Sequence, residues 1–212
     1  MAERNTRTRL LHRAAKANIF IPESQADSLS SFLDLLFRWN RKINLTALTG
    51  VDEAIDRLLL EPLVAARHLP SGSGRLIDVG SGGGSPAIPL ALMTGYDVTM
   101  VESKARKAAF LREAIRALKL SNTSVETTRF QGLLSSLPHR HAYTAFSIRA
   151  VRVERQTLAE LSGFLTRGGV GLVFRGPAGP DQVPDAPPLA WQATYPLLPS
   201  LGSRLTIYQL SS

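Results

Sequence analysis

The residues best suited to chemistry lie in a glycine-rich segment near the middle of the chain. From Asp78 to Pro86 the sequence is DVGSGGGSP, which continues an apolar run that predicts a short buried strand. Glycines after a strand let the backbone turn sharply and let a ligand approach it closely. Glu102 ends the next predicted strand, roughly 20 residues beyond the first glycine, where an acidic side chain accepts hydrogen bonds from ribose hydroxyls. Together these features predict a site for a cofactor that contains a nucleoside.

The spacing of the glycines indicates which cofactor is bound. The dinucleotide fingerprint G-x-G-x-x-G needs a third glycine where this chain has Ser85. The chain instead has Gly80, Gly82 and Gly84, with Asp78 two residues before the first of them. This pattern is typical of methyltransferases that use S-adenosylmethionine, in which Asp78 would order the loop or meet the ammonium group of the methionine. A nicotinamide enzyme and a glycine-rich turn without a ligand are the alternatives.

Strands that alternate with helices are expected to position this loop. Apolar runs predict strands over residues 76–79, 98–101, 124–130, 143–148 and 170–174. Helical periodicity predicts helices over 104–119 and 156–165, and Gly168 and Gly169 are expected to end the second of them. Such alternation indicates a parallel sheet covered on both faces, with ligands at the carboxyl ends of its strands.

The two ends of the chain complete the expected architecture. Residues 191–195 and 205–210 alternate apolar and polar side chains, which predicts a closing antiparallel hairpin after a proline-rich loop over 176–188. The fold class is therefore α/β: a Rossmann-like class I methyltransferase sheet with a C-terminal antiparallel hairpin and an N-terminal helical cap. Residues 1–70 are assigned to a basic arm and the cap, and residues 75–212 to the methyltransferase domain.

Within the N-terminal part, residues 1–22 are rich in arginine and are expected to form a polar arm. An apolar stripe from Leu29 to Trp39 predicts the first cap helix, and the sequence NRKINLT after it breaks the helical period. Asp52 is the expected N-cap of a second helix. Because proline disfavours helical geometry in the residue before it, Pro62 is expected to end or kink that helix at Glu61.

Composition limits the classes of function. The chain has 212 residues, a net charge of +8 and no cysteine, which excludes disulfides, cysteine zinc sites and a thiolate nucleophile. No apolar run is long enough to span a bilayer and no signal core follows the N-terminus, so a cytoplasmic protein without a membrane partner is expected. The charge fits a polyanion such as nucleic acid, and a surface that only aids solubility is the alternative. No metal site is expected.

Three segments resemble the RsmG/GidB family, which methylates guanine N7 in the decoding region of 16S ribosomal RNA. The sequence FRWNRKINLT over residues 37–46 resembles the family segment W-N-x-x-x-N-L-T. Residues 76–82 and 86–90 resemble its cofactor loop, and residues 147–150, SIRA, resemble its S-R-A segment with one residue inserted. The resemblance implies S-adenosylmethionine as cofactor and 16S ribosomal RNA or the small ribosomal subunit as partner. A monomer is expected.

The resemblance also implies roles for individual residues. Arg149 would lie where cofactor and target base meet and would position them. The other expected cofactor residues are Asp78, Gly80, Gly82, Ser85, Glu102, Phe130 and Gln131, of which the last two would flank the adenine. The expected residues on the substrate side are Arg106, Arg129 and Arg204.

The chemistry expected at N7 needs no general base, because this nitrogen carries a lone pair and no proton. Methylation of an exocyclic amine would use an Asp/Asn-Pro-Pro-aromatic segment after the fourth strand, where this chain has Ser147 to Ala150. The chain departs from the family at Arg57 to Pro62, RLLLEP, where the family has R-H-x-x-D-S. It also has Gln131 for an acidic residue and Arg175 for a lysine. A small-molecule methyltransferase and a catalytically silent RNA-binding or assembly factor are the alternative functions.

Overall fold

The computed structural model describes residues 2–149, 153–177 and 186–211. Its α-helices are α1 (Ala2–Lys16), α2 (Glu23–Asn40), α3 (Val51–Ala54), α4 (Glu61–Ala66), α5 (Ala87–Met93), α6 (Ala105–Leu118), α7 (Phe130–Leu134) and α8 (Arg155–Ser162). A π-helix, Ile55–Leu60, joins α3 to α4, and Pro199–Leu201 form a 3₁₀ turn. No helix among these residues is long and apolar enough to cross a membrane.

Seven strands of the described residues form one sheet in the order β3-β2-β1-β4-β5-β7-β6. The strands are β1 (Arg75–Val79), β2 (Asp97–Val101), β3 (Thr123–Glu126), β4 (Tyr143–Ile148), β5 (Leu165–Arg175), β6 (Leu189–Pro196) and β7 (Arg204–Leu210). Strands β1 to β5 are parallel, whereas β7 runs antiparallel to β5 and β6. The predicted α/β sheet with a closing hairpin is confirmed.

The register of the central strands brings the predicted site together. Val79 at the end of β1 pairs with Val101 of β2 on one side and with Ile148 of β4 on the other. Gly80, Glu102 and Arg149 each follow one of these paired residues. Because all three strands are parallel, the three residues emerge at the same edge of the sheet.

Two hydrophobic clusters cover the two faces of the sheet. Alternate side chains of a strand point to opposite faces, so Leu76 and Ile77 of β1 enter different clusters. Leu76 packs in a cluster with Leu33 of α2 and other cap residues, whereas Ile77 packs in a cluster with Leu158 of α8. The helical cap therefore shares a core with the sheet. The division of the chain at residues 70–75 stays a prediction.

The N-terminal segment forms helix α1 rather than a free arm. Leu10 and Ala14 are buried in the core that the cap shares with the sheet. Its arginines bind carboxylates of neighbouring cap residues: Arg7 binds Asp27 and Glu23, Arg9 binds Asp52, and Arg13 binds Asp52 and Asp56. The segment was expected to be a polar arm, but Leu10 and Ala14, four residues apart, give it one buried apolar face.

The second cap helix also differs from its prediction. Gly50, not Asp52, is the N-cap residue of α3. The helix does not end at Glu61, because the π-helix widens the backbone just before α4 and Pro62 falls in the first turn of α4. Proline has no N–H, so the carbonyl of Leu58, four residues earlier, loses its usual helical donor.

Three further boundaries depart from expectation. Helix α8 ends at Ser162, and Gly168 and Gly169 lie inside β5, where the register to β4 shifts and Gly168 has a φ of +72°. Strand β3 ends at Glu126 rather than at residue 130. Of the predicted 176–188 loop, residues 178–185 lie outside the described residues, as does Ala150 of the SIRA segment.

Candidate active site

A cavity of about 740 Å³ opens at the carboxyl edge of the sheet. The glycine loop and Glu102 form one wall of it, and the loop after α2 forms another. Residues of the π-helix and α4 close it from the cap, while Arg149 and Ser203 close it from β4 and from the turn before β7. Cap and sheet therefore both supply walls of the cavity.

The glycine loop is held by backbone hydrogen bonds and turns through left-handed conformations. The N–H groups of Gly80 and Ser81 donate to the carbonyl of Val101 over 2.9 and 3.1 Å. Gly80, Gly82 and Gly84 have φ angles of +74°, +51° and +84°. Residues with a side chain rarely adopt such positive φ angles. A Cβ atom placed on Gly82 would have only the Gly80 carbonyl oxygen nearby, at 3.6 Å. The loop thus offers bare backbone to a ligand in the cavity.

Glu102 lies where the sequence predicts, but it also organises the loop. One carboxylate oxygen accepts the Gly82 N–H over 3.0 Å, and the other accepts the Lys104 N–H over 2.8 Å. The residue is buried yet lines the cavity. Since a carboxylate oxygen has two lone pairs, each of these oxygens retains an acceptor site for a ligand hydroxyl.

Asp78 lies on β1 beneath the loop and does not line the cavity itself. Its Oδ1 accepts the Ser147 hydroxyl over 2.6 Å, whereas Oδ2 is buried and has no hydrogen-bond partner among the described residues. Burial raises the pKa of Asp78 to about 6, and the hydroxyl of Ser147 opposes the shift. A buried acceptor without a partner costs stability, so Oδ2 is an unfavourable feature of the fold beneath the loop.

A hydrogen-bonded network surrounds Arg149 at the opposite wall. Its Nη2 donates to Oε2 of Glu61, and the other oxygen of Glu61 accepts the Ser203 hydroxyl. Its Nη1 lies 3.4 Å from the Ser85 hydroxyl, which itself donates to the carbonyl of Leu58 over 2.9 Å. The network therefore joins β4, the glycine loop, the cap and the turn before β7.

The Arg149 guanidinium is nearly enclosed. Its side chain is 15% exposed, and its Cζ lies 5.0 Å from the centre of the Phe174 ring, within cation–π distance. Burial lowers the pKa of this guanidinium, and the Glu61 carboxylate opposes that shift. An arginine remains charged in any case, so a positive charge faces the Glu61 carboxyl group.

Sequence patterns missed Glu61. The available signal was a single acidic residue in the apolar run LLLEP, because a charge inside a buried helix needs a partner. Its partners Arg149 and Ser203 lie 88 and 142 residues away along the chain, beyond the reach of a local pattern.

Sequence patterns also missed how the loop after α2 is held over the cavity. The Asn40 side chain accepts the N–H groups of Leu45 and Thr46 over 2.8 and 3.0 Å and donates to the Thr46 carbonyl over 2.9 Å. Leu45 and Thr46 line the cavity, and the Leu45 carbonyl oxygen would lie 3.2 Å from a Cβ on Gly83. The W-N-x-x-x-N-L-T segment thus forms a wall of the site.

Besides Asp78, five predicted site residues do not line the cavity. Phe130 packs edge-on against Phe164, and exposed Gln131 donates to Glu160 over 3.2 Å. The remaining three are the exposed Arg106 and Arg129 and the partly exposed Arg204. Their roles toward adenine and RNA stay predictions.

Cations other than the predicted ones reach the cavity. Lys104 and Lys107 line it from the start of α6, and Arg175 lines it from the end of β5. Within the part of the chain that the structure describes, no group of three or more His, Asp or Glu side chains is placed to hold a metal ion.

The sequence model of the GidB family, described as rRNA small subunit methyltransferase G, matches residues 25–188. The chain belongs to this family. The predicted resemblance is confirmed over most of the chain, and the match includes the glycine loop, Glu61 and Arg149.

Two relatives of the family carry the name ribosomal RNA small subunit methyltransferase G. The protein from Xylella fastidiosa is 41% identical over 142 residues, which cover 66% of this chain and 61% of the relative. The protein from Stenotrophomonas maltophilia is 36% identical over 181 residues, which cover 83% and 80%. The chain thus spans about 61% of the length of the Xylella relative that it matches.

A solved structure supports the fold independently. The [4+2]-cyclase SpnF is similar with a TM-score of 0.60 and 16% sequence identity, over 90% of this chain and 97% of that one. The likeness shows the fold alone. Because one fold can host unrelated reactions, the reaction has to be argued from the site.

Proposed function

We propose that this protein transfers a methyl group from S-adenosylmethionine to N7 of a guanine in 16S ribosomal RNA of the small ribosomal subunit. The observation that carries the proposal is that the glycine loop, Glu102 and the largely buried guanidinium of Arg149 all border the same cavity. Membership of the family and the names of the relatives from Xylella and Stenotrophomonas favour this substrate.

The residues at the loop fit S-adenosylmethionine. Gly80 and Gly82 line the cavity with backbone that carries no side chain, and Glu102, which also lines it, has acceptor sites for the ribose hydroxyls. Asp78 lies beneath the loop and outside the cavity lining, so we assign it to ordering the loop. When bound, the cofactor supplies an electrophilic methyl group on a sulfonium centre. The chain's own residues then have to bind and orient the target base.

No proton has to be removed from the target atom, since guanine N7 carries a free lone pair. Catalysis would come from holding N7 in line with the methyl group and from arranging charge around it. A cation placed directly at N7 would withdraw the lone pair from the reaction. We therefore assign Arg149 to the neighbouring O6 or to a phosphate of the target nucleotide, where its planar fork can donate two hydrogen bonds.

The start of α6 is suited to a polyanion. Lys104, Arg106 and Lys107 lie at the N-terminal end of the helix, where its dipole is positive and where cations are unfavourable. No ion pair compensates these three side chains within the described residues. Two of them line the cavity, so phosphate groups of an RNA strand would relieve this repulsion as the target base enters.

The net charge of +8 favours RNA over a small neutral metabolite. We propose that the protein acts as a monomer in the cytoplasm, where the small ribosomal subunit is found. Transfer of a radiolabelled methyl group tests the proposal against its alternatives. We expect label in small-subunit RNA, no label in pools of metabolites, and saturable cofactor binding by calorimetry. Label in metabolites would favour a small-molecule methyltransferase, and absence of cofactor binding would favour a silent RNA-binding factor.

A further inference from the structure

We propose that Glu61 of the cap is a positioning residue for Arg149, and that Ser203 fixes the orientation of the Glu61 carboxylate. This inference rests on the proposed function, because it assigns how the cap sets up the arginine that would orient the target base.

The burial of Glu61 requires a dedicated partner. Its side chain is 1% exposed, and an isolated carboxylate in such surroundings would be strongly destabilising. One oxygen accepts from Arg149 and the other accepts from Ser203. Because the two oxygens have different donors, the carboxylate plane is fixed. A fixed carboxylate holds the guanidinium in one orientation.

The remaining contacts of Arg149 also hold its guanidinium group in one orientation. Phe174 lies against the face of the guanidinium, and the Ser85 hydroxyl lies near Nη1. An arginine has five N–H donors, and Glu61 and Ser85 occupy two of them. The others are available to a ligand in the cavity that Arg149 lines.

The cap reaches Arg149 by a second route, through Ser85. The Ser85 hydroxyl donates to the Leu58 carbonyl, which lies in the π-helix. Ser85 is thereby tied to the same helical segment that carries Glu61. Helices of the cap thus determine the position of Arg149 relative to the glycine loop.

A double-mutant cycle separates positioning from simple structural support. Glu61→Gln keeps the length of the side chain but removes its charge. We expect it to lower kcat for RNA methylation about 10-fold or more in the wild-type background and less than 2-fold in the Arg149→Ala background, since the two residues act as a unit. Cofactor affinity should change less than 2-fold. Glu61→Asp, which keeps the charge, should retain more activity than Glu61→Gln.

Glu113→Gln is the matched control, because it removes a carboxylate from the exposed pair with Arg116 on α6. It should leave kcat unchanged in both backgrounds. Equal loss of kcat from Glu61→Gln with and without Arg149 would overturn the proposal. So would a lower melting temperature with unchanged kcat per folded molecule.

A second readout does not depend on activity. A guanidinium held by a carboxylate rotates slowly, so the Nη signals of Arg149 in ¹⁵N NMR should be resolved in the wild type and in Glu113→Gln but averaged in Glu61→Gln. Unchanged Nη signals in Glu61→Gln would overturn the proposal even if the methyl acceptor proved to be another molecule. Conversely, an inactive wild type with the expected signals would count against the proposed function and not against the positioning role.

Discussion

At the scale of single residues, the site is built on buried charges whose partners differ. Arg149 and Glu61 neutralise each other, whereas Asp78 has one oxygen bonded to Ser147 and one without a partner in the described chain. The sequence predicts Asp78 and Arg149, because each follows a recognisable local pattern. It does not predict the ion pair, because Glu61 becomes a neighbour of Arg149 only through packing of the cap on the sheet.

The raised pKa of Asp78 gives a pH-dependent stability. Its folded pKa is about 6, against roughly 4 for an unfolded aspartate. Between these values the folded chain binds the proton more tightly, so its stability falls as pH rises from 4 to 6 and then levels off. Relative to Asp78→Asn, the wild type should lose on the order of 2–3 kcal/mol of unfolding free energy across this window. Urea unfolding of both proteins from pH 4 to 8 measures this difference, and a difference independent of pH would contradict the assignment.

Substitution of Arg149 should affect turnover more than folding. Arg149→Ala should lower kcat by about 10²-fold, the scale of a lost transition-state contact. Arg149→Lys should rescue it poorly, because a compact ammonium cannot reproduce the planar, rigid arrangement of the guanidinium donors. Arg112→Lys, at an exposed arginine that donates to the Val125 carbonyl, is the control and should retain full turnover. Arg149→Lys with wild-type kcat would show that turnover does not require the guanidinium group.

At the scale of elements, predictions succeeded where local pattern and packing agree. Strand β4 has the predicted bounds, because its apolar run is buried on both faces. Gly168 was expected to end a helix and does not, and of the two outcomes expected at Pro62, an end or a kink at Glu61, the helix does not end there. A wider helical turn accommodates Pro62, and an irregularity within β5 accommodates Gly168. Whether a helix ends at a proline or a glycine depends on tertiary contacts, such as the hydrogen bond from the Ser85 hydroxyl to the Leu58 carbonyl.

The loop after α2 should depend on Asn40. Asn40→Ala removes three hydrogen bonds to the backbone and should lower unfolding free energy by about 1–3 kcal/mol. It should also weaken cofactor affinity, because the loop walls the cavity. Asn122→Ala is the matched control, since its side chain donates to two backbone carbonyls away from the cavity. If both variants bind the cofactor like the wild type in calorimetry, the loop does not shape the site.

The start of α6 should govern the response of RNA binding to salt. Each neutralised phosphate of a single strand contributes about −0.7 to the slope of log affinity against log salt. Lys104→Ala combined with Lys107→Ala should therefore make the slope shallower by about 1.4. Arg116→Ala, near the far end of α6 and paired with Glu113, should leave it unchanged. Filter binding over a range of salt measures these slopes, and an unaltered slope in the double variant would place the RNA elsewhere.

At the scale of the whole molecule, the cap and the sheet form one functional unit. They share a hydrophobic cluster, and both supply walls of the cavity. The sequence predicts an N-terminal cap that is preceded by a basic arm. In the structure, carboxylates of the cap bind Arg7, Arg9 and Arg13. These three arginines are compensated within the cap, whereas Lys104, Lys107 and Arg175 line the cavity.

Mass-spectrometric mapping of methyl groups tests the central claim most directly. Unmodified 16S ribosomal RNA and small subunits would be incubated with S-adenosylmethionine and either the wild type or Arg149→Ala. With the wild type, we expect one added methyl group on a single guanosine and chain scission there after borohydride and aniline treatment, which is diagnostic of N7 methylation. With Arg149→Ala, this product should be strongly reduced. RNA without a new methyl group, or a methyl group on another atom or base, would contradict the account.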